Sequence, residues 1–164
     1  KEGNGWWYRQ DDGSWETGWF QVNGQWFLAD EKGWLKSGWV IEDGTWYYLH
    51  PTHDTKFGVM ETGWVKDGEN WFYLGDDGKM RTGWQQVRDK WYYLESNGVM
   101  RTGWLSEGGH HYFMDDQGAM CTGVARTRLD GACSVFDDQG HLIVGRVVLE
   151  QDAQGVLRAV KEVA

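Results

Sequence analysis

TGWQQVRDKWYYLESNGVMR, residues 82–101, carries the three markers of a unit that the chain repeats. Its opening triplet, Thr82-Gly83-Trp84, returns as Thr17-Gly18-Trp19, Ser37-Gly38-Trp39, Thr62-Gly63-Trp64 and Thr102-Gly103-Trp104. Counting on to Thr122-Gly123-Val124, four intervals are 20 residues long, and the one of 25 carries extra residues around His50 to Phe57. Its aromatic run, Trp91-Tyr92-Tyr93-Leu94, matches Trp26-Phe27-Leu28, Trp46-Tyr47-Tyr48-Leu49 and Trp71-Phe72-Tyr73-Leu74, and decays to His111-Tyr112-Phe113-Met114. The closing Gly98-Val99-Met100 matches Gly33-Trp34-Leu35, Gly58-Val59-Met60, Gly78-Lys79-Met80 and Gly118-Ala119-Met120. Three markers in phase at this period mean a repeat array, in which each unit is too small to enclose a core and buries its faces against its neighbours.

Between the first two markers stand turn signals: Asn23-Gly24, Asp43-Gly44, Asp67-Gly68 and Glu107-Gly108-Gly109, each flanked by strand-forming residues. Glycine supplies the positive φ of tight hairpin turns, and Asn or Asp tolerates the preceding position. Residues Gln86 to Lys90 lack the glycine, which predicts a longer turn or another type there. Linkers such as Gly75-Asp76-Asp77-Gly78 are also turn-forming, so each unit is one short hairpin plus a connecting loop. Alternation along a strand puts Trp71 and Tyr73 on one face and Phe72 on the other, so a hairpin offers rings to both neighbours. The expected fold is all-β, a solenoid or superhelix of stacked hairpins with aromatic pockets at the junctions.

Composition supports this reading. Aromatic residues make up 16% of the chain and there are 13 tryptophans and 24 glycines beside one proline, so burial must come largely from aromatic faces. A net charge of −9 with singly scattered Lys and Arg argues against nucleic acid. No apolar run reaches membrane-spanning length, which excludes insertion as a helix, and the sequence contains no signal peptide. Trp6-Trp7-Tyr8 falls where an aromatic run belongs, so the chain opens inside a repeat and reads as a piece of something longer.

The phased Thr-Gly-Trp, Trp-Tyr-Tyr-Leu and Gly-x-Met resemble the choline-binding repeats of Gram-positive surface proteins and phage lysins, over about residues 5 to 124. The resemblance implies a hairpin superhelix in which choline of teichoic acid sits between successive repeats, caged by three aromatics with a Met or Leu nearby. Carried over position by position, the first cage is Trp19, Trp26 and Tyr47 with Leu35, and the second Trp39, Trp46 and Phe72 with Met60. The third is Trp64, Trp71 and Tyr92 with Met80, and the fourth Trp84, Trp91 and Tyr112 with Met100. At the next junction Trp104 and Met120 remain, but His111 replaces a tryptophan and Val135 or a neighbour stands for the third aromatic, so that junction is expected to be empty. The module so implied is non-catalytic and secreted, without cofactor or metal, attached to the bacterial cell wall or surface through choline or phosphocholine of teichoic acids. Physics agrees with the residue choice: a quaternary ammonium has no N–H to donate, and ring faces both meet its diffuse charge and cover its methyls.

Other readings account for the same rings. Glucan-binding repeats have similar length, but sugar sites need polar groups beside the rings, where this chain has Leu or Met. A purely structural solenoid would use the paired tryptophans as packing alone. The second aromatics Tyr48, Tyr73, Tyr93 and Phe113 are assigned to packing. His50-Pro51-Thr52-His53-Asp54 reads as an exposed loop rather than a metal site, and the acidic pairs Asp11-Asp12, Asp76-Asp77, Asp115-Asp116 and Asp137-Asp138 as turn formers rather than calcium ligands. No nucleophile and base recur at meaningful spacing, so no catalytic residue is assigned.

After Thr122-Gly123 the aromatics vanish except Phe136, and aliphatic runs such as Leu142-Ile143-Val144 and Val147-Val148-Leu149 appear. Residues 1–124 therefore read as the repeat array, and 125–164 as degenerate repeats that form an aliphatic C-terminal cap or pair two chains into a homodimer. Cys121 and Cys133 are expected to be thiols: with a turn at Asp130-Gly131, Cys133 faces about Arg128.

Overall fold

A computed structural model describes residues 6–127 and 132–163. The expected hairpins are present, each a separate two-stranded antiparallel sheet. In order they are β1 (Gly18–Val22) with β2 (Gln25–Ala29), β3 (Gly38–Glu42) with β4 (Thr45–Leu49), β5 (Gly63–Asp67) with β6 (Asn70–Leu74), β7 (Gly83–Val87) with β8 (Lys90–Leu94), and β9 (Gly103–Glu107) with β10 (His110–Met114). Two more follow, β11 (Gly123–Arg126) with β12 (Cys133–Phe136) and β13 (Arg146–Gln151) with β14 (Leu157–Val163). The chain divides into two compact units, Lys1–Arg81 and Thr82–Ala164.

Turn chemistry sets the register. Asn23-Gly24 and Asp43-Gly44 both adopt positive φ at the two central positions, with Asn23 and Asp43 at +49°, the pattern of a type I′ turn whose twist matches its strands. In the next hairpin Asp67 pairs with Asn70, so the central residues are Gly68-Glu69 rather than Asp67-Gly68. The glycine-free turn is not longer: Val87 pairs with Lys90, and Arg88 itself takes φ +56°. Strand pairing on either side outweighs the cost of that left-handed residue, of order 1 kcal/mol.

After each hairpin the chain bends and touches it once more. Single bridges join Ala29 to Leu35, Leu49 to Met60, Leu74 to Met80, Leu94 to Met100, Met114 to Met120 and Phe136 to Leu142. The bend closes through a side chain: Asp30, Asp115 and Asp137 each accept two backbone N–H groups through Oδ1, at 2.8 to 2.9 Å. The most deeply buried apolar residue recurs once per unit, at the end of the hairpin where the bend bridges back: Leu49, Leu74, Leu94 and Met114 are fully buried and Phe136 is 1% exposed. Each such side chain contributes about 1.5 to 3 kcal/mol. The second aromatics pack as expected on the tryptophan opposite, tilted for Trp64–Tyr73 and edge to face for Trp39–Tyr48, Trp84–Tyr93 and Trp104–Phe113, with centroids 4.9 to 5.3 Å apart.

The 25-residue unit extends its bend, not its hairpin. His50 occupies the place of Asp30, its carbonyl accepting from Gly58 N–H at 2.9 Å, and its ring lies 2.7 Å from Glu61 and 3.1 Å from Asp54. Burial opposes protonation, but these two carboxylates outweigh it and raise the His50 pKa. A raised folded-state value means that the stabilisation is full below the ordinary histidine pKa and is lost as pH rises through the raised one. Proton NMR should give His50 a titration midpoint above that of the unfolded chain, and Glu61→Gln should lower it; a midpoint at or below the unfolded value would show that the pair does not hold the loop.

In the last hairpins Cys133 pairs with Arg126, not Arg128; the proposed turn at Asp130-Gly131 lies outside the described residues. Both cysteines are thiols, and burial pushes the Cys121 thiol up. Val156, just before β14, lines a cavity of about 170 Å³ with Thr122, Gly123 and Phe136, which brings the final hairpin against β11 and β12.

Candidate functional site

Three junctions place the same three rings in the same way. Trp19 and Trp26 meet edge to face at 6.5 Å and 83°, and Tyr47 of the next hairpin joins Trp19 at 4.9 Å and 62°. Trp39, Trp46 and Phe72 repeat this at 6.3 Å and 82°, then 4.7 Å and 65°. Trp84, Trp91 and Tyr112 do so again at 6.4 Å and 82°, then 4.8 Å and 65°. Strand alternation is the cause. The first tryptophan sits on β1, β3 or β7 opposite a packing residue, and the second near the start of the partner strand, so the two rings form a right-angled corner that the next hairpin closes. In the second corner the Trp39 indole N–H donates to Asp67 at 3.0 Å, which fixes its ring.

The second tryptophans are the open wall: Trp26, Trp46, Trp71 and Trp91 are 40 to 43% exposed. The packing ring Tyr48, by comparison, is 8% exposed. A row of exposed tryptophans is a candidate contact surface. The chain itself uses one such face, where the Lys66 ammonium lies 5.8 Å from the centre of the Trp71 ring.

In two corners the residue that lines the cavity beside the rings comes from one unit later than the sequence expectation. Met60, not Leu35, lines the cavity of about 430 Å³ formed by Trp19, Trp26 and Tyr47. Met120, not Met100, lines the one of about 450 Å³ formed by Trp84, Trp91 and Tyr112. Backbone hydrogen bonds show why. The Met60 N–H donates to the Trp26 carbonyl at 2.8 Å, Met80 to Trp46 at 2.9 Å and Met120 to Trp91 at 2.8 Å. The methionine bridges back onto the hairpin that carries the tyrosine and points its N–H at the hairpin before it, so it travels with the third aromatic, not with the tryptophan pair. By the same rule Leu35 reaches the Trp6 carbonyl at 2.7 Å, and Met80 belongs with Trp39, Trp46 and Phe72 in place of Met60.

The third expected set divides between the two units, with Trp64, Trp71 and Met80 in the first and Tyr92 in the second. At the fifth junction Ser134 takes the position of the third aromatic, since Phe136, the partner of Gly123, fills the buried place that Met114 holds one unit earlier. His111 there bonds Ser106 at 2.7 Å and accepts the Leu142 N–H on its carbonyl. Trp104 leans on Phe113 and Phe136, and no third ring faces it among the described residues.

Four cavity residues escaped the sequence reading. Asp76 and Asp77 line the first cavity, Asp138 and Gln139 the other. They come from the bend one hairpin beyond the tyrosine, so each of these two cavities is built from three successive units. The only sequence trace of this is a second acid beside the one that closes the bend. Among the described residues no group of three His, Cys, Asp or Glu side chains has the geometry to hold a metal ion.

Two family models match the chain, one described as choline-binding repeat over residues 81–125 and one as putative cell wall binding repeat over 17–33, 37–49 and 62–80. A search of curated protein sequences gave no match. Among solved structures, choline binding protein F from Streptococcus pneumoniae is 30% identical over 96% of this chain, with a TM-score of 0.79. The same protein solved in the presence of a peptidoglycan analogue, a tetrasaccharide-pentapeptide, gives 31% over 95% and 0.78. The pneumococcal cell wall endolysin from phage Cp-1, complexed with choline, gives 32% over 78% and 0.53. The chain spans 55% of the length of choline binding protein F and 38% of the endolysin. The phased markers, the hairpin with its bridged tail and the recurring aromatic corners are thus those of the choline-binding repeat family of cell-wall-binding modules, and the chain belongs to that family.

Proposed function

We propose that this chain is a non-catalytic anchor that holds a larger secreted protein on a bacterial cell wall by taking choline groups of teichoic acid into its aromatic corners. The observation that supports this most is the recurrence of one wall set, two tryptophans at a right angle with a tyrosine and a methionine, around cavities of about 430 and 450 Å³. A trimethylammonium group matches such a site because three faces of negative potential surround a cation that cannot donate a hydrogen bond. Each ring contributes about 0.5 to 2 kcal/mol, so a single corner binds weakly, near the millimolar range after association costs. A polymer carrying many choline groups engages several corners at once and multiplies the weak steps.

In this reading residues 1–124 are the binding array. The aliphatic hairpins of 125–164 close its end, where a second copy of the chain can also dock. Tryptophan fluorescence titrated with choline chloride, beside sodium chloride at equal ionic strength and glucose oligomers, tests the ligand. The expected result is a saturable change with choline alone, weakened about 2- to 30-fold at the affected corner by Trp91→Ala. A response to the sugars alone would assign the corners to glucan, and silence to both would make them packing.

A further inference from the structure

The bend that follows a hairpin is closed in most units by one carboxylate, several bends carry a second acid, and at two of them the second acid lines a cavity. In Asp137-Asp138-Gln139-Gly140 the first acid is fully engaged, its Oδ1 accepting the Gln139 and His141 N–H groups and its Oδ2 lying 3.0 Å from His141 Nδ1. In Gly75-Asp76-Asp77-Gly78 the bonding acid is Asp77, which accepts the Lys79 N–H at 3.2 Å and pairs with Arg81 at 2.7 Å. The remaining carboxylates, Asp76 and Asp138, occupy the same position, two residues before the glycine. Neither makes a hydrogen bond or ion pair among the described residues, and both line an aromatic cavity: Asp76 with Trp19, Trp26, Tyr47 and Met60, Asp138 with Trp84, Trp91, Tyr112 and Met120.

From this placement, and resting on the proposal that the corners take a quaternary ammonium, we propose that Asp76 and Asp138 are specificity-determining residues that select the positive charge of the ligand. The rings and the methionine fit the shape of a trimethylated head, and they would hold a neutral tert-butyl group by the same burial. A full negative charge at the rim separates the two. It is exposed and bonds no group of its own bend, and it attracts a cation through solvent without the hydrogen bond that a quaternary ammonium cannot make. The two rims are not equal. Beside Asp76 stands Asp77, offset by Arg81, with Lys79 on the same bend; beside Asp138 stands the neutral Gln139, with His141 tied to Asp137. The same position holds Ser96 in one unit and Asp116 in another, so the device is written unit by unit.

A unit charge about 6 Å from the ligand, partly through water, changes cation affinity by about three- to tenfold and is screened by salt. The test compares choline with 3,3-dimethylbutan-1-ol, which keeps its shape and lacks its charge. The full chain is labelled with 5-fluorotryptophan, so that Trp26 and Trp91 report their own corners by fluorine NMR. Asp76→Asn should weaken choline about three- to tenfold at Trp26 only, and Asp138→Asn should do so at Trp91 only. Both effects should shrink at about 1 M sodium chloride, and both variants should leave the neutral alcohol unchanged. Choline affinity within about twofold of wild type, or an equal loss for both ligands, would overturn the inference while leaving the corners as choline sites. A wild-type chain that does not bind choline would overturn both readings together.

Discussion

Alanine at Gly78 will cost the protein about 2 to 5 kcal/mol, and alanine at Gly63 only about 1 to 2 kcal/mol. Both glycines have φ of +74°, so the backbone penalty for an L side chain is the same at each. What differs is the space. A Cβ on Gly63 would meet nothing within 4 Å, whereas one on Gly78 would run into Met60 at Sδ, Cε and Cγ. Methionine yields more readily than most side chains, but here it cannot yield without leaving the cavity it lines with Trp19 and Trp26. The extra cost at Gly78, about 1 to 3 kcal/mol of overpacking, is therefore coupled to function: choline binding at Trp26 should weaken in Gly78→Ala and hold in Gly63→Ala. Chemical denaturation of the two variants measures the first half, and fluorine spectra of Trp26 the second. Equal losses at both positions would show that Met60 relocates at no cost and that the glycine serves the bend alone.

That contact recurs, Gly118 on Met100 and Gly140 on Met120, and it explains both the reach and the limits of the sequence. The markers were legible because each is a local requirement: a positive-φ residue in a bend, alternation along a five-residue strand, an acid that closes a turn. The corner of Trp84, Trp91 and Tyr112 was legible too, because the tryptophans share a hairpin and the tyrosine occupies a fixed place on the next one. The owner of the methionine was not. Periodicity gives its interval but no phase, and Leu35, Met60 and Met80 fit the pattern equally well whether counted with the hairpin before or the hairpin after. The phase is set by one hydrogen bond, from the Met60 N–H to the Trp26 carbonyl, between groups that every residue possesses. Asp76 and Asp138 were hidden for a related reason. As turn formers they looked fully explained, and only the geometry shows that Asp137 closes the bend while Asp138 has no part in it.

The same three-unit construction lets the C-terminal segment, proposed above to close the array, be tested for a second role in completing the last cavity. Phe136→Ala should cost about 3 to 5 kcal/mol, since the ring is 1% exposed and packs on Trp104 at 5.9 Å, at the point where the backbone bridges to Leu142 and begins the bend. In a repeat array such a loss stays local and frays the nearest units first. The nearest bend is the one that delivers Asp138 and Gln139 to the Trp84 and Trp91 cavity and stacks His141 on His110 at 3.8 Å, against Tyr112 at 5.3 Å. Thermal unfolding should therefore gain an early transition. Choline-induced shifts should fade by half or more at labelled Trp84 and Trp91, while Trp19 and Trp26 respond as before. Phe136→Leu, which keeps most of the volume, should cost about 1 kcal/mol and preserve all four responses. If Phe136→Ala unfolds the last hairpins and Trp84 and Trp91 still bind as in the wild type, the segment is a cap and nothing more. If they fail, the last cavity is completed by a unit that has itself lost the aromatic residues of a binding repeat, and that explains in physical terms why the degenerate copy keeps its bend after losing its tryptophans.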